Sequence, residues 1–433
     1  MDILLANAPV KREFGHASLA PPLGLAYIAA VLIRDGYDVS AMDLNIGSFD
    51  ILSVKRALET ERPAILGISA HTETYLGGLK LARIAKEINP EIIVVMGGTH
   101  PTAMYQDVAN EEDVDIVVIG EGEDTMLELA NCIIRSKVCL SEIKGIAYRE
   151  GEVVRITKDR PFIVNLDGIP FPAREIFPIH LYRDPGQVLM SRGGCPFNCH
   201  FCAVNNIWKG SRKFRNPENV INEILHIFDN FHLDEIGFDD DAFTLNREHV
   251  ISLCDQSRKL RELFPWHWTC TTRVDLVDRR LLNEMREAGC YHIQYGIEAG
   301  SQKILDSIGK KITLDQVREA VDMTLDFGIE TTCFFMFPHP DDTEQTIREQ
   351  KHFMKELINM GALETLSMTT PYPGTYYYAH ADELGIKILA RNWDEYDAKN
   401  LTITTRHLSE ERLRFLLAEL VQDVGLTNDV QVS

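Results

Sequence analysis

The chain has 433 residues, 44 Lys and Arg against 65 Asp and Glu, and a formal net charge of −21 at pH 7. That length allows two or three domains of roughly 100–200 residues, and 45% apolar with 25% charged residues is a globular mix and not a disordered one. The acidic balance argues against a nucleic-acid partner, which needs clustered Lys and Arg, and no run approaches the ~18 apolar residues of a membrane-spanning helix.

The N-terminal MDILLANAP begins on an apolar strand, with no basic segment ahead of a long apolar one, so a cytoplasmic location is expected and export is not. Over residues 1–136, short apolar runs recur at Ile3–Ala6, Val39–Met42, Ile65–Ser69, Ile92–Met96 and Ile116–Ile119. Between them lie amphipathic stretches such as Leu23–Arg34 and Tyr75–Ile88. This alternation predicts an α/β domain built on a doubly wound, flavodoxin-like parallel sheet with helices on both faces. Ligands of such sheets lie outside the carboxyl ends of the strands. Those ends carry Asn7 to Pro22, Ser69-Ala70-His71-Thr72, Gly97-Gly98-Thr99-His100 and Gly120-Glu121-Gly122-Glu123, and their glycines permit a large planar or phosphate-bearing ligand to approach the backbone.

A hairpin is predicted from Gly145 to Val154 around Glu150-Gly151, followed by a Pro-rich linker over 158–186. Strands and helices then alternate again, with predicted strands at Val188–Met190, Glu235–Phe238, Trp268–Thr272, Tyr291–Tyr295, Thr331–Phe335 and Thr365–Met368. Six such units without a closing pair predict a partial (β/α)6 barrel with its chemistry at the carboxyl ends of the strands. A helix at Glu410–Val421 is expected to cover a barrel opening. The expected divisions are 1–144, a hairpin and linker at 145–186, a barrel at 187–385 and a small C-terminal helical segment at 386–433.

Nine cysteines in a chain of this kind do not suggest a disulfide framework. Cys132, Cys139, Cys254, Cys270, Cys290 and Cys333 are scattered and read as small apolar side chains. Cys195, Cys199 and Cys202 crowd into eight residues after Gly193-Gly194. A structural zinc wants four closed ligands, and only His200 lies near enough to be a fourth. A [4Fe–4S] cluster normally takes four thiolates. With three it keeps one iron open to a small chelating ligand, the arrangement that reductive cleavage of S-adenosylmethionine (SAM) requires.

The C-x3-C-x2-C spacing, with Phe201 before the last Cys, is accompanied by other motifs in order. Pro21-Pro22-Leu23-Gly24-Leu25, Val94-Val95-Met96-Gly97-Gly98-Thr99-His100-Pro101 and Gly120-Glu121-Gly122-Glu123 precede it; Phe238-Asp239-Asp240-Asp241-Ala242-Phe243-Thr244, Trp268 through Arg273, Gly296-Ile297-Glu298-Ala299-Gly300-Ser301 and Pro371-Tyr372-Pro373-Gly374-Thr375 follow. With these motifs residues 1–380 resemble the cobalamin-binding radical SAM family, the group of B12-dependent radical methylases and the anaerobic Mg-protoporphyrin cyclase. The resemblance implies a cobalamin-binding domain followed by a radical SAM barrel. It implies Cys195, Cys199 and Cys202 as cluster ligands. It implies SAM contacts from Phe201, Asp240, Asp241, Arg273 and Glu298, and cobalamin contacts from Ser69, Thr72, Gly97, Gly98, Thr99, Gly120, Glu121 and Gly122. Read as bare residues, the strand-end acids also fit a solvated edge and Arg273 a pair with Asp275.

Two features depart from the pattern. No Asp-x-His-x-x-Gly supplies a histidine beneath cobalt, although His16, His71 and His100 lie in candidate loops; the domain either binds cobalamin without an imidazole or persists as scaffold. In Phe334-Phe335-Met336-Phe337-Pro338-His339-Pro340-Asp341-Asp342, Phe337 stands where the family tends to place glycine, and at a strand end expected to face the barrel interior it either narrows the SAM site or shapes an unusual substrate pocket. Tyr372, Tyr376, Tyr377 and Tyr378 either line an apolar substrate cavity or pack on the surface.

The function implied is anaerobic C-methylation: a cluster cleaves SAM to a 5′-deoxyadenosyl radical, and cobalamin delivers a methyl group to an unactivated carbon of a small molecule. The alternative is oxidation, cyclisation or rearrangement without methyl transfer. The implied cofactors are a [4Fe–4S] cluster, SAM and cobalamin, and the implied partner is an electron donor such as flavodoxin or ferredoxin. Methylthiolation of tRNA would call for further N-terminal cysteines, yet none precedes Cys132. A non-catalytic cobalamin sensor leaves Cys195, Cys199 and Cys202 without a role.

Overall fold

In the computed structural model the alternating apolar runs and amphipathic helices form two parallel sheets, one in each of two units, Met1–Pro185 and Gly186–Ser433. The structure describes residues 1–11, 20–47, 51–136, 139–209 and 212–426.

The first sheet contains β1 (Ile3–Asn7), β2 (Val39–Asp43), β3 (Ile65–Ser69), β4 (Ile93–Gly97) and β5 (Ile116–Val118), all parallel in the order β2-β1-β3-β4-β5. This is the flavodoxin-like winding, whose ligand crevice opens where the strand order reverses. The hairpin β6 (Ile146–Glu150) and β7 (Val153–Ile156) extends the same sheet, with β6 antiparallel to β5. One face buries Ile3, Leu5, Ile65 and Val95 against the helices Leu23–Arg34 and Glu123–Ile133. The helix Tyr75–Ile88 covers the other: a Cβ on its Gly78 would stand 3.4 Å from Ile68 and Met96. Burial on both faces explains why these strands read as apolar runs without alternation.

The second unit contains β8 (Gln187–Val188), a short antiparallel pair β9 (Ser191–Gly193) and β10 (Arg212–Phe214), then β11 (Glu235–Phe238), β12 (His267–Thr272), β13 (Cys290–Glu298), β14 (Glu330–Phe337) and β15 (Leu363–Met368). Six of them form an open, all-parallel sheet in the order β8-β11-β12-β13-β14-β15. Trp268, Ile293, Tyr295, Phe335 and Phe337 are buried with Met285, Val317, Val321, Met354 and Leu357 of the surrounding helices. Thr269, Thr271, Gln294 and Met336 alternate with them and remain half-buried on the interior face.

Two expectations are corrected. Phe337 is 1% exposed within the helix-side core, because the alternation along β14 turns it away from the interior. It therefore neither narrows the barrel interior nor shapes a pocket there. The tail helix Glu410–Val424 lies against the outer helix Glu344–Met360, where Lys351 Nζ meets Glu419 at 2.6 Å and Asp423 at 2.7 Å and Arg412 meets Glu344 at 2.8 Å. Its apolar stripe, Leu413, Leu416, Leu417 and Leu420, is buried there and not over a barrel mouth.

Candidate functional site

In the second unit the chain leaves β9 into a loop that holds Cys195, Cys199 and Cys202, all free and half-buried. Asn205 shapes this loop: its Oδ1 accepts from the Cys195 N–H at 3.0 Å, and its Nδ2 donates to the Phe197 carbonyl at 2.6 Å and to Asn198 Oδ1 at 3.0 Å. The middle of the loop is pinned at His200, whose N–H donates to the Ile308 carbonyl (3.0 Å) and whose carbonyl accepts from the Tyr377 N–H (3.3 Å). Among the described residues no three His, Cys, Asp or Glu side chains stand close enough to share one metal ion. Three free thiols on one loop are the donor set that a [4Fe–4S] cluster with one open iron would take. Burial pushes the Cys199 thiol up and that of Cys202 up to about 11, so metal loading must displace their protons.

The acidic motif after β11 divides by role. Asp240 is buried, and its carboxylate accepts from the Met190 and Ser191 N–H groups at 2.8 Å each and from the Ser191 hydroxyl. Both oxygens are thereby engaged in fixing the chain that leads into the cysteine loop. Burial nevertheless pushes its carboxyl up to about 6. Asp241 is exposed and pairs with Arg212 at 3.4 Å, while Arg212 Nε donates to the Gly194 carbonyl at 3.0 Å. Asp239 has an accessible side chain at the same strand end; crowding by surrounding atoms and then the charges of Asp240 and Asp241 push it up to about 6.

Arg273, at the end of β12, is also engaged by its own chain. It binds Asp275 through Nε (2.8 Å) and Nη2 (3.0 Å), donates from Nη2 to the Lys310 carbonyl (2.8 Å), and lies 3.6 Å over the Phe197 ring. The guanidinium thus supports the cysteine loop from beneath. Glu298 closes β13 at φ +74°, an uncommon conformation for a residue with a Cβ, and binds Lys310 Nζ at 2.9 Å with both side chains nearly buried. Gly296 makes this possible: a Cβ there would stand 2.5 Å from Glu298 Oε1. Phe201 lies between Lys310 Nζ, 5.9 Å from its ring centre, and His339, 6.2 Å away. Tyr377 is buried, whereas Tyr376 is exposed, tilted against His200 (ring centres 4.6 Å apart) and stacked on His380 (4.1 Å), so these two tyrosines do not share one environment.

The structure therefore gathers Phe201, Glu298 and Arg273 around the cysteine loop, with Asp240 and Arg273 acting as its supports. Sequence reasoning missed Lys310 and Asn205. Lys310 carries no motif of its own, and its one local sign is the preceding Gly309, whose Cβ would stand 3.0 Å from the Asn198 carbonyl.

At the carboxyl edge of the first sheet, Ser69, Gly97 and Gly120 end or follow adjacent strands. Gly98, at φ +106°, has no room for a side chain, since a Cβ would stand 2.4 Å from the Ala70 carbonyl. Gly122 lets its helix approach Ile28, 2.6 Å from where a Cβ would be, and Gly120 at φ +85° faces open space. Thr99 Oγ1 meets the exposed His71 Nδ1 at 2.9 Å, and Thr72 Oγ1 meets His100 Nδ1 at 3.3 Å. His100 is buried against Tyr75, ring centres 4.3 Å apart, and burial pushes it down to about 4. The His100 ring is thus enclosed by Thr72 and Tyr75. Glu121 faces inward and accepts from the Ile163 N–H at 2.6 Å. His16 lies outside the described residues. The open space at Gly120 and the Thr and His side chains that border this edge would suit a corrinoid.

Comparison with known proteins supports both halves. Residues 17–130 match the B12 binding domain and residues 191–354 the radical SAM superfamily. An uncharacterized methyltransferase of Pyrococcus horikoshii is 34% identical over 96% of this chain and 91% of its own length. The anaerobic magnesium-protoporphyrin IX monomethyl ester cyclase of Rubrivivax gelatinosus is 31% identical over 88% of this chain and 70% of its own. The radical SAM methyltransferase TsrM of Kitasatospora setae, solved with cobalamin and a [4Fe-4S] cluster bound, shares the fold with a TM-score of 0.77 at 17% identity, covering 98% of this chain and 89% of that one.

Proposed function

The chain belongs to the cobalamin-binding radical SAM family, a family of cobalamin-, SAM- and [4Fe–4S]-dependent enzymes, and on that premise we propose that it methylates an unactivated carbon of a small-molecule substrate. The observation that supports this reading most is a loop of three free thiols set against Glu298, Lys310 and Phe201, in a chain that also carries a glycine-lined corrinoid edge. When bound, the cofactors supply a 5′-deoxyadenosyl radical from SAM and a transferable methyl group.

The chain's own residues bind and orient. Cys195, Cys199 and Cys202 hold the cluster, and Asn205, Arg273 and Asp240 keep their loop in place. Phe201 offers a ring face to the adenine. Glu298 and the strand-end Asp241 offer acceptors to the ribose and ammonium, and the buried frame around them keeps water from a reactive radical. Ser69, Thr72, Gly97, Gly98, Thr99, Gly120, Glu121 and Gly122 frame the corrinoid, Glu121 by anchoring the segment at Ile163. A flavodoxin or ferredoxin supplies the electron. Among the described residues no helix is long and apolar enough to cross a membrane.

A second reading, radical oxidation or cyclisation without methyl transfer, is supported by the 31% identity to the cyclase. One experiment separates the two. Under strict anaerobiosis, protein produced with hydroxocobalamin is analysed for iron and corrinoid, then given SAM and reductant. About four irons and one corrinoid, with both deoxyadenosine and S-adenosylhomocysteine formed, is the outcome for the methylase. Deoxyadenosine alone is the outcome for the second reading, and neither product would overturn both.

A further inference from the structure

His339 is buried and lies between two prolines just past the end of β14. Both of its ring nitrogens have partners: Nε2 stands 3.2 Å from the Glu298 carbonyl oxygen and Nδ1 stands 3.2 Å from the Tyr377 hydroxyl. A carbonyl oxygen only accepts, so Nε2 carries the proton and Nδ1 must accept from the Tyr377 O–H. A ring turned over by 180° would present carbon atoms to both partners and lose both bonds. Its backbone is held as firmly, since the His339 N–H donates to Asp342 Oδ2 at 2.7 Å and Asp342 Oδ1 accepts from Thr346 at 2.7 Å.

The two partners belong to different parts of the site. Glu298 is the residue at φ +74° whose carboxylate pairs with Lys310. Tyr377 donates its N–H to the His200 carbonyl, between Cys199 and Cys202. We propose that His339 is a positioning residue that joins the strand end carrying Glu298 to the back of the cysteine loop, so that the SAM-facing acceptors and the cluster ligands keep one fixed spacing. An apolar filler in the same hole would support neither partner. Left-handed backbone at Glu298 persists only where its surroundings over-determine it, and the His339 Nε2–H bond is one such constraint. Burial, which pushes the imidazole's pKa down, keeps it in the neutral form that this pairing needs.

The inference rests on the SAM site described under Proposed function. The test uses full-length protein reconstituted with iron, sulfide and cobalamin under anaerobiosis, and compares wild type with His339→Phe, His339→Gln and Tyr377→Phe. Three quantities are read: iron per chain, SAM affinity by equilibrium dialysis, and the change SAM causes in the electron paramagnetic resonance spectrum of the reduced cluster. His339→Phe should keep the iron content and bind SAM about tenfold more weakly, the scale of one lost buried hydrogen bond, with the SAM-induced spectral change reduced. His339→Gln, whose amide can still donate to the Glu298 carbonyl, should recover to within about threefold. His339→Phe with wild-type affinity and an unchanged spectrum would overturn the inference and leave the SAM site standing. If that variant does not fold, Tyr377→Phe decides: it keeps the Glu298 bond and the backbone bond to His200 but cuts the hydroxyl link between His339 and Tyr377, and wild-type values for it overturn the coupling. A wild type that loads iron yet binds no SAM overturns the site reading, and this inference with it.

Discussion

At the carboxyl edge of the first sheet glycines set the packing, with Gly98 and Gly122 admitting close approach of Ala70 and Ile28, Gly120 facing open space and a few hydroxyls bordering it. At the edge of the second, charged side chains interlock: Asp240 holds Met190 and Ser191, Arg212 holds Gly194, and Arg273 holds Phe197 and Lys310. A large preformed corrinoid needs an open, shaped crevice. A cluster with an exchangeable SAM needs ligands at a fixed spacing, which calls for a supporting layer behind each of them. Substitutions in the first edge should therefore act by steric intrusion, and those in the second by loosening a frame.

The largest effect is expected from Cys199→Ala, which should abolish the brown cluster absorbance and all deoxyadenosine formation while corrinoid binding persists. Retention of the absorbance would break the assignment of the loop. Next comes Asp240→Ala, which leaves the Met190 and Ser191 N–H groups buried without an acceptor and should cost roughly 3 kcal/mol. Iron per chain should fall with thermal stability. Gly98→Ala probes the other edge: at φ +106° and 2.4 Å from the Ala70 carbonyl, the added methyl should cost roughly 2 kcal/mol and lower corrinoid stoichiometry, with iron unchanged. Arg273→Lys should be milder. It keeps a charge but loses the bidentate pairing and the flat stack on Phe197, so iron loading should drop before SAM affinity per loaded cluster does. Intact iron with weakened SAM binding would instead place the Arg273 guanidinium on SAM.

The contrast also explains what could be read from the residues alone. Apolar runs and helix-length stripes specify the winding of the first sheet and the six strands of the second, because burial on both faces is written directly as composition. Glycine spacing marks the first edge, since a missing Cβ is a local property. The supports of the second edge are not local. Asp240 and Arg273 stood out as charged residues at strand ends, but only distances show that their charges face the protein's own backbone and Asp275. Phe337 looked like an intrusion because its side of β14 depends on where the strand stops, two residues beyond the expected end. Lys310 follows a short helix, Gln302–Ser307, with no sequence sign that its ammonium returns to Glu298.

A last prediction sharpens the comparison through pH. His100 in the first unit is held down to about 4 by burial, below the ~6.5 of an unfolded histidine. The unfolded state then binds the extra proton between those values, so stability rises with pH across that window and is lost on acidification, by about 2 kcal/mol from pH 7 to pH 5. Asp240 in the second unit is pushed up to about 6, above the ~3.9 of an unfolded aspartate. Here the native state holds the proton, so the sign reverses and this contribution grows as pH falls. Hydrogen exchange corrected for intrinsic rates and resolved by segment should show the β3–β4 edge loosening between pH 6.5 and 4.5 while the β8–β11 edge tightens. His100→Gln should remove the first trend and Asp240→Asn the second. Trends of the same sign at both edges would mean that another titrating group governs acid stability, and the difference between a glycine-packed edge and a charge-built one would then not extend to their response to protons.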